Sequence, residues 1–259
     1  MPLPRFQLFE FNDAPWAPKV LRDTVVGALS RSLRWGRMLD GLVAPFEAFL
    51  TACGTREVLD LCAGAGGPAA VLLEAMGRRG RAGHFLLTDL FPQVTQWEAL
   101  RREFNGQLDF VPQPVDATRI PPTLGPGRAR AIINALHHFP PDLARAVLRG
   151  ACENAPGLFV AEGLVRNPLR FAAMAPFGIP ALLAAPVLAD DQRLARAVLA
   201  WSPLALAVSV WDGTVSALRI YQPEELQEMV ADLPGWEWMH GTFEYGGVGR
   251  GTWFSGVRR

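Results

Sequence analysis

Apolar residues recur along this chain with two different periods, and the change from one to the other divides it. Over residues 1–50 the spacing is helical. Val20, Leu21, Val25, Leu29 and Leu33 fall near one face of a helix whose entry carries Pro15 and Pro18. LDGLVAPFEAFLTAC reads as a second amphipathic helix, with a kink expected at Pro45. After Gly54 short apolar runs alternate with amphipathic ones. EVLDLC, GHFLLTDLF, LDFVPQPVDA, RARAIINALHHF and GLFVAEGLV read as strands, and PAAVLLEAM, QVTQWEALRREF and PDLARAVLRGACENA as helices between them. Alternation of this kind implies parallel strands with helices on both faces. Residues 164–221 break the rhythm with a long stretch rich in Pro and Ala, followed by WDGTVSALRIY. QPEELQEMV resumes it as a helix with Pro223 in its first turn. The end, WEWMHGTFEYGGVGRGTWFSGVRR, alternates on either side of a glycine-rich turn and reads as an antiparallel hairpin.

The pattern therefore predicts an α/β fold: a mostly parallel seven-stranded sheet with an antiparallel C-terminal hairpin, plus a helical cap. Residues 1–53 form the N-terminal part of that cap and 54–163 the core. Residues 164–221 form an apolar cap insertion, and 222–259 complete the core sheet with a helix and the hairpin. Composition adds mainly exclusions. Of 259 residues half are hydrophobic, and 25 Lys and Arg balance 25 Asp and Glu. Lys19 is the only lysine, and no basic run marks a nucleic-acid track. Cys53, Cys62 and Cys152 are odd in number and scattered, which argues against a disulfide framework and a zinc site. The first residues lack the basic-then-apolar order of a signal peptide, so a reducing cytoplasm is the expected location.

The chemistry centres on DLCAGAGGPA, residues 60–69. Gly64, Gly66 and Ala69 make a G-x-G-x-x-A, the spacing of a dinucleotide-binding turn. In an open parallel sheet such a loop lies beyond the carboxyl ends of the strands, where ligands bind. Asp60 argues for a different ligand. A carboxylate at the strand tip would repel a pyrophosphate and welcome a ligand carrying an ammonium and a sulfonium group. VLDLCAGAGG resembles the first motif of the class I S-adenosylmethionine-dependent methyltransferases, with Cys62 where the usual first glycine stands. Asp89 in LLTDLFP resembles the family's ribose-binding carboxylate, followed by Leu90. VDATRIP resembles its third-strand motif, which implies Asp116 at the adenine amino group and Ala117 bordering the ring. INALHHF resembles the motif after its fourth strand, which implies Asn134 and Ala135 near the methionine part of the cofactor. The terminal hairpin matches the family's antiparallel seventh strand. The resemblance implies a Rossmann-like fold, S-adenosylmethionine as cofactor and S-adenosylhomocysteine as product, with Asp60, Cys62, Gly64, Gly66, Asp89, Leu90, Asp116, Ala117, Asn134 and Ala135 as the binding set. Taken singly, Asp116 also suits a plain turn.

On the acceptor side, His137 and His138 follow the fourth strand and are the candidates for a general base, should the acceptor need to lose a proton. No third ligand stands at metal-binding spacing, so no metal is expected. Glu10, Asp13, Trp16, Trp211, Asp212, Arg219 and Tyr221 are the candidates for an acceptor pocket, because they occur in the polar-aromatic stretches of the cap. The competing reading makes the tryptophans core and Asp212-Gly213 a tight turn. FAAMAPFGIPALLAAPVLA has 19 uncharged residues, near bilayer length, but Pro176, Pro180 and Pro186 argue against a continuous span. Packing around an apolar substrate or a homodimer contact explains it more simply, with shallow membrane contact a further reading. The expected function is methyl transfer to a small, apolar acceptor, with no nucleic acid as partner. The alternatives are a nucleotide (NAD/FAD)-dependent oxidoreductase and a non-catalytic cofactor-binding module.

Overall fold

A computed structural model describes residues 3–14, 16–189 and 192–259, so Pro15 of the first helix entry lies outside the described residues. The helices are α1 (Lys19–Trp35), α2 (Val43–Cys53), α3 (Gly67–Arg78), α4 (Val94–Glu103), α5 (Pro141–Cys152), α6 (Pro168–Met174), α7 (Ile179–Leu183), α8 (Ala185–Leu188), α9 (Arg193–Trp201), α10 (Pro203–Arg219) and α11 (Pro223–Val230). The strands are β1 (Glu57–Asp60), β2 (His84–Leu87), β3 (Leu108–Phe110), β4 (Ala129–Ile133), β5 (Gly157–Glu162), β6 (Trp236–Tyr245) and β7 (Gly249–Arg258). The chain divides into two compact units. A helical unit holds Met1–Met38, Leu164–Ile220 and Glu244–Arg250, and a sheet unit holds Leu39–Gly163, Tyr221–Phe243 and Gly251–Arg259.

In the sheet unit seven strands run in the order β3-β2-β1-β4-β5-β7-β6. The first five are parallel, joined by the crossover helices α3, α4 and α5 and, between β3 and β4, by a long irregular segment. β7 enters beside β5 antiparallel, with Gly157 opposite Val257 and Glu162 opposite Thr252. Its place there follows from the apolar face of the hairpin. Trp238 stacks on Phe254 at 5.0 Å and on Trp236 at 5.2 Å, which extends the core cluster of Leu158, Val160 and Leu136. β4 and β5 are buried along their whole length, which is why they read as near-continuous apolar runs.

Two expectations need correction here. Residues 39–53 belong to the sheet unit and not to the cap. Phe46 and Phe49 of α2 pack their rings on Phe159 of β5 at 5.1 and 5.2 Å, and Phe46 also stacks on Phe85. The alternation of apolar residues in α2 shows that one face is buried but does not say against what. Nor does Pro45 kink this helix. It is the third residue of α2, where its missing N–H has no helical partner to lose.

The helical unit is built on α1. Leu21, Val25 and Ala28 face Leu182, Ala185, Ala200, Ala205 and Val208 in one cluster. Arg31 Nε donates to the Ala181 carbonyl at 3.2 Å, tying α1 to α7. WDGTVSALR is not a turn but the second half of the 17-residue α10, opened by Ser202, whose hydroxyl accepts from the Leu204 N–H. Gly213 earns its place in this helix by lying under the Phe171 ring of α6, only 2.1 Å from where a Cβ would stand.

Candidate functional site

The candidate site lies in the sheet unit at the carboxyl ends of β1, β2 and β4. β1 ends at Asp60, a residue only 2% exposed. Burial first, and the negative charge of Asp89 second, push its pKa well above the ordinary 3.8. The chain then turns back in a loop held by backbone bonds to both neighbouring strands, Leu61 N–H to Ala131 O at 2.8 Å and Ala63 N–H to Thr88 O at 3.0 Å. Three residues of the loop are left-handed: Cys62 (φ 58°), Gly64 (φ 53°) and Gly66 (φ 79°). The two glycines serve different ends. A Cβ on Gly66 would stand 2.6 Å from Leu100 and 2.9 Å from Leu87, so Gly66 lets the loop seat against α4 and β2. Gly64 has open space on that side and presents bare backbone to it. Cys62 takes the conformation that a glycine would take without strain, so a residue departing from the motif keeps the motif's backbone.

Asp89 fastens the loop. Its Oδ2 accepts the Gly64 N–H and its Oδ1 the Phe91 N–H, each at 2.8 Å. Leu90 beside it is exposed. Trp97 of α4, fully buried, donates its indole N–H to the Gly64 carbonyl at 2.9 Å, so the loop is held from two elements. The segment after β3 returns to Asp89 through Val115 N–H to Asp89 O at 2.9 Å. Asp116, exposed, closes an Asx turn with the N–H and hydroxyl of Thr118, which lower its pKa, while Ala117 is buried. Burial raises the Cys62 thiol to about 12, and Asp89, Asp60 and Asp116 add to that shift in the same direction. Three carboxyl groups therefore converge on one short loop, and they hold its thiol in the protonated form.

At the tip of β4 the backbone turns left-handed at Asn134 (φ 56°), and the Asn134 Oδ1 accepts the Gly163 N–H at 2.6 Å. Ala135 is buried. The following turn carries His137 and His138, with ring centroids 4.2 Å apart. Glu162, the last residue of β5, clamps His137 twice. One carboxylate oxygen accepts the main-chain N–H at 3.0 Å and the other meets Nδ1 at 2.8 Å, both side chains being buried. Tyr221 donates its hydroxyl to the Phe139 carbonyl at 2.7 Å and is otherwise packed in the core. Trp97 and Glu162 were missed from the sequence. Glu162, the one acidic residue of a buried strand and at its tip, is the signal that was there to be used.

The other acceptor candidates lie in the helical unit, and most of them bind one another. Arg219 Nη1 meets Glu10 at 3.1 Å and Asp13 at 2.7 Å, while its Nε donates to the Leu8 carbonyl at 3.0 Å. Ser216 donates to Glu10 at 3.0 Å. Asp212 accepts the main-chain N–H groups of Phe11 and Asn12 at 2.8 and 3.1 Å. Burial raises its pKa, against the pull of those two bonds. These four charged residues fasten the N-terminal segment to α10. Trp211 donates to the Phe9 carbonyl at 3.0 Å, and Phe9, Phe11, Trp16 and Trp211 form one aromatic group with centroids 5.2–6.4 Å apart. Trp16 is 68% exposed, so it is not core.

No protein-family model matches the chain, and no curated protein does. Solved structures do. Magnesium protoporphyrin IX methyltransferase from Synechocystis PCC 6803, with S-adenosylhomocysteine bound, superposes with a TM-score of 0.50 at 15% identity, over 88% of this chain and 86% of that one. A methyltransferase from Anabaena variabilis ATCC 29413 gives 0.52 at 10% identity, over 99% and 98%. The fold is that of the class I S-adenosylmethionine-dependent methyltransferases. An O-methyltransferase of neocarzinostatin biosynthesis, in complex with S-adenosylhomocysteine and 1,4-dihydroxy-2-naphthoic acid, gives 0.53 at 15% identity, over 93% of this chain and 59% of that one. The methyltransferase fold also separates this sheet from the dinucleotide fold suggested by G-x-G-x-x-A. That fold orders its strands 3-2-1-4-5-6, with no antiparallel strand inserted beside the fifth.

Proposed function

We propose that this protein is an S-adenosylmethionine-dependent methyltransferase acting on a small, apolar acceptor. The observation that carries the reading is the set of three carboxyl groups around the glycine loop, with Asp60 buried at its base. A pyrophosphate would meet the Asp89 and Asp116 carboxylates there. A cationic ligand restores to Asp60 the ionised form that burial opposes. The residues present fit the cofactor: Asp89 keeps lone pairs for two ribose hydroxyls, Asp116 and Ala117 suit the adenine, and Asn134 and Ala135 border the amino-acid end. The bound cofactor supplies a methyl group activated by its sulfonium.

The chain's own residues have three further tasks in this reading. The loop and the β4 turn hold the ligand in place, since an in-line displacement depends chiefly on alignment. Glu162 fixes His137. A carboxylate facing Nδ1 draws the imidazole proton to that nitrogen and leaves Nε2 as an acceptor, the form a general base needs to take a proton from an acceptor hydroxyl. The exposed rings of Phe9, Trp16 and Trp211, backed by half-buried Phe11, offer the helical unit's surface to an apolar acceptor. Calorimetric titration tests the cofactor assignment. S-adenosylhomocysteine is expected to bind with micromolar affinity and NADH not at all; the reverse result would sink the proposal.

A further inference from the structure

The exposed apolar residues of this protein are distributed unevenly. Nearly all the exposed large hydrophobics among the described residues lie in the helical unit. In α9 the usual arrangement is inverted. The small residue Ala200 is buried, whereas Leu194, Val198 and Trp201, spaced i, i+4 and i+7 on one face, are 81%, 65% and 64% exposed. α9 packs on α8, whose Val187 and Leu188 are exposed as well, and the Trp201 indole N–H donates to the Leu183 carbonyl at 3.1 Å. These side chains form one apolar face of the unit. The charged residues within α9 are two arginines, Arg193 and Arg196. Charge is uneven on the larger scale too. Twelve Arg and Lys stand against seven Asp and Glu in the helical unit, Asp190 and Asp191 included, although the whole chain is neutral.

We propose that the face formed by α8 and α9 lies on an anionic lipid bilayer. Large aliphatic side chains, a tryptophan and an exposed arginine on one amphipathic helix are the make-up of an interfacial contact. Arg193, exposed at the start of α9 beside this face, offers a positive charge to anionic headgroups, while Arg196 is half-buried and turned to Thr24 of α1. Insertion across the bilayer is a poorer fit. Among the described residues no single helix is long and apolar enough, and α9 and α10 qualify only as a pair bent by 71°. Crossing would also strip Asp212 and Arg219 of α10 from the partners that hold the N-terminal segment.

The test is flotation of the full chain with phosphatidylcholine vesicles, with and without phosphatidylglycerol. Binding is expected only with the anionic lipid and should weaken as salt is raised. Leu194→Glu with Val198→Glu should lower the partition by about tenfold or more, with the thermal transition unchanged. Trp201 supplies a readout that needs no charge-bearing variant. Brominated phosphatidylcholine in the anionic vesicles should quench part of the emission, and Trp201→Phe should remove that part. Absence of flotation, equal flotation of the double variant or quenching untouched by Trp201→Phe would overturn the proposal. So would a dimer that the double variant disperses while vesicles leave both forms unbound, which would give the face to a second copy of the chain.

Discussion

Asp60 couples the candidate site to pH. Its carboxyl is raised by burial and by Asp89, so it stays neutral in the folded protein over a range where the unfolded chain ionises it. The folded state then holds a proton that the unfolded state does not. Its contribution to stability is fully present below the ordinary value of 3.8 and is lost as pH rises through the raised folded value. Asp60→Asn is expected to increase the urea midpoint at pH 8 and to leave it nearly unchanged at pH 4. On the proposed binding mode the same substitution should weaken S-adenosylhomocysteine binding, because it removes the carboxylate assigned to the ammonium end. A variant equally stable to wild type at both pH values would show that Asp60 is not strained by burial. His137 is the second residue whose state is legible. With Glu162 on Nδ1, its imidazole is expected as the Nδ1–H tautomer, readable from the ring ¹⁵N shifts. Glu162→Gln should mix the tautomers and lower kcat by roughly 10²-fold, the lower end of what a base contributes, while affinity for S-adenosylhomocysteine stays the same. A fall in that affinity as large as the fall in kcat would make Glu162 structural only.

Elements meet through glycines whose purpose the linear pattern does not reveal. Gly213 sits in the middle of α10, where Gly→Ala ordinarily stabilises by about 1 kcal/mol. Here the sign reverses. The new Cβ would stand 2.1 Å from the Phe171 ring, so either α6 moves or the ring leaves its rotamer. Gly213→Ala is therefore expected to destabilise by about 1–3 kcal/mol, the usual cost of overpacking, in chemical unfolding. A gain in stability would show that α6 yields freely. Wherever Asp is followed by Gly, a turn is a natural reading, and in WDG it was the wrong one. The buried face of α10, with Val208, Asp212, Val215 and Arg219 at helical spacing, and the cap at Ser202 outweigh it.

For the whole molecule the decisive charges are the buried ones. Arg219 and the Glu10 side chain are 4% and 1% exposed, and Arg219 also holds Asp13. Arg219→Met removes the cation that these carboxylates share and is expected to cost about 3 kcal/mol, as breaking a buried pair does. It should also expose residues 3–14 to protease. The exposed Lys19–Asp23 pair makes the control, and Lys19→Met should change stability by less than about 0.5 kcal/mol. If the two variants unfolded alike, the Arg219 cluster would not be what ties the N-terminal segment down.

Period and order along the chain were enough to determine the strand-helix alternation, the parallel core, the terminal hairpin and the glycine loop with its acidic neighbours. These depend on local spacing: residues i, i+2 or i, i+3 and i+4 declare their face without reference to any partner. Which face meets which is another matter. That α2 belongs with the sheet, that β7 inserts between β5 and β6, and that Glu162 reaches His137 across 25 residues all depend on long-range contacts. The same holds for the acceptor candidates. Glu10, Asp13, Asp212 and Arg219 look alike in sequence whether they face a ligand or one another, because a charged side chain declares its need for a partner and not the partner's identity. Only the tertiary structure decides that, since a buried charge must find a countercharge or a hydrogen bond nearby, and the fold determines which ones are in reach.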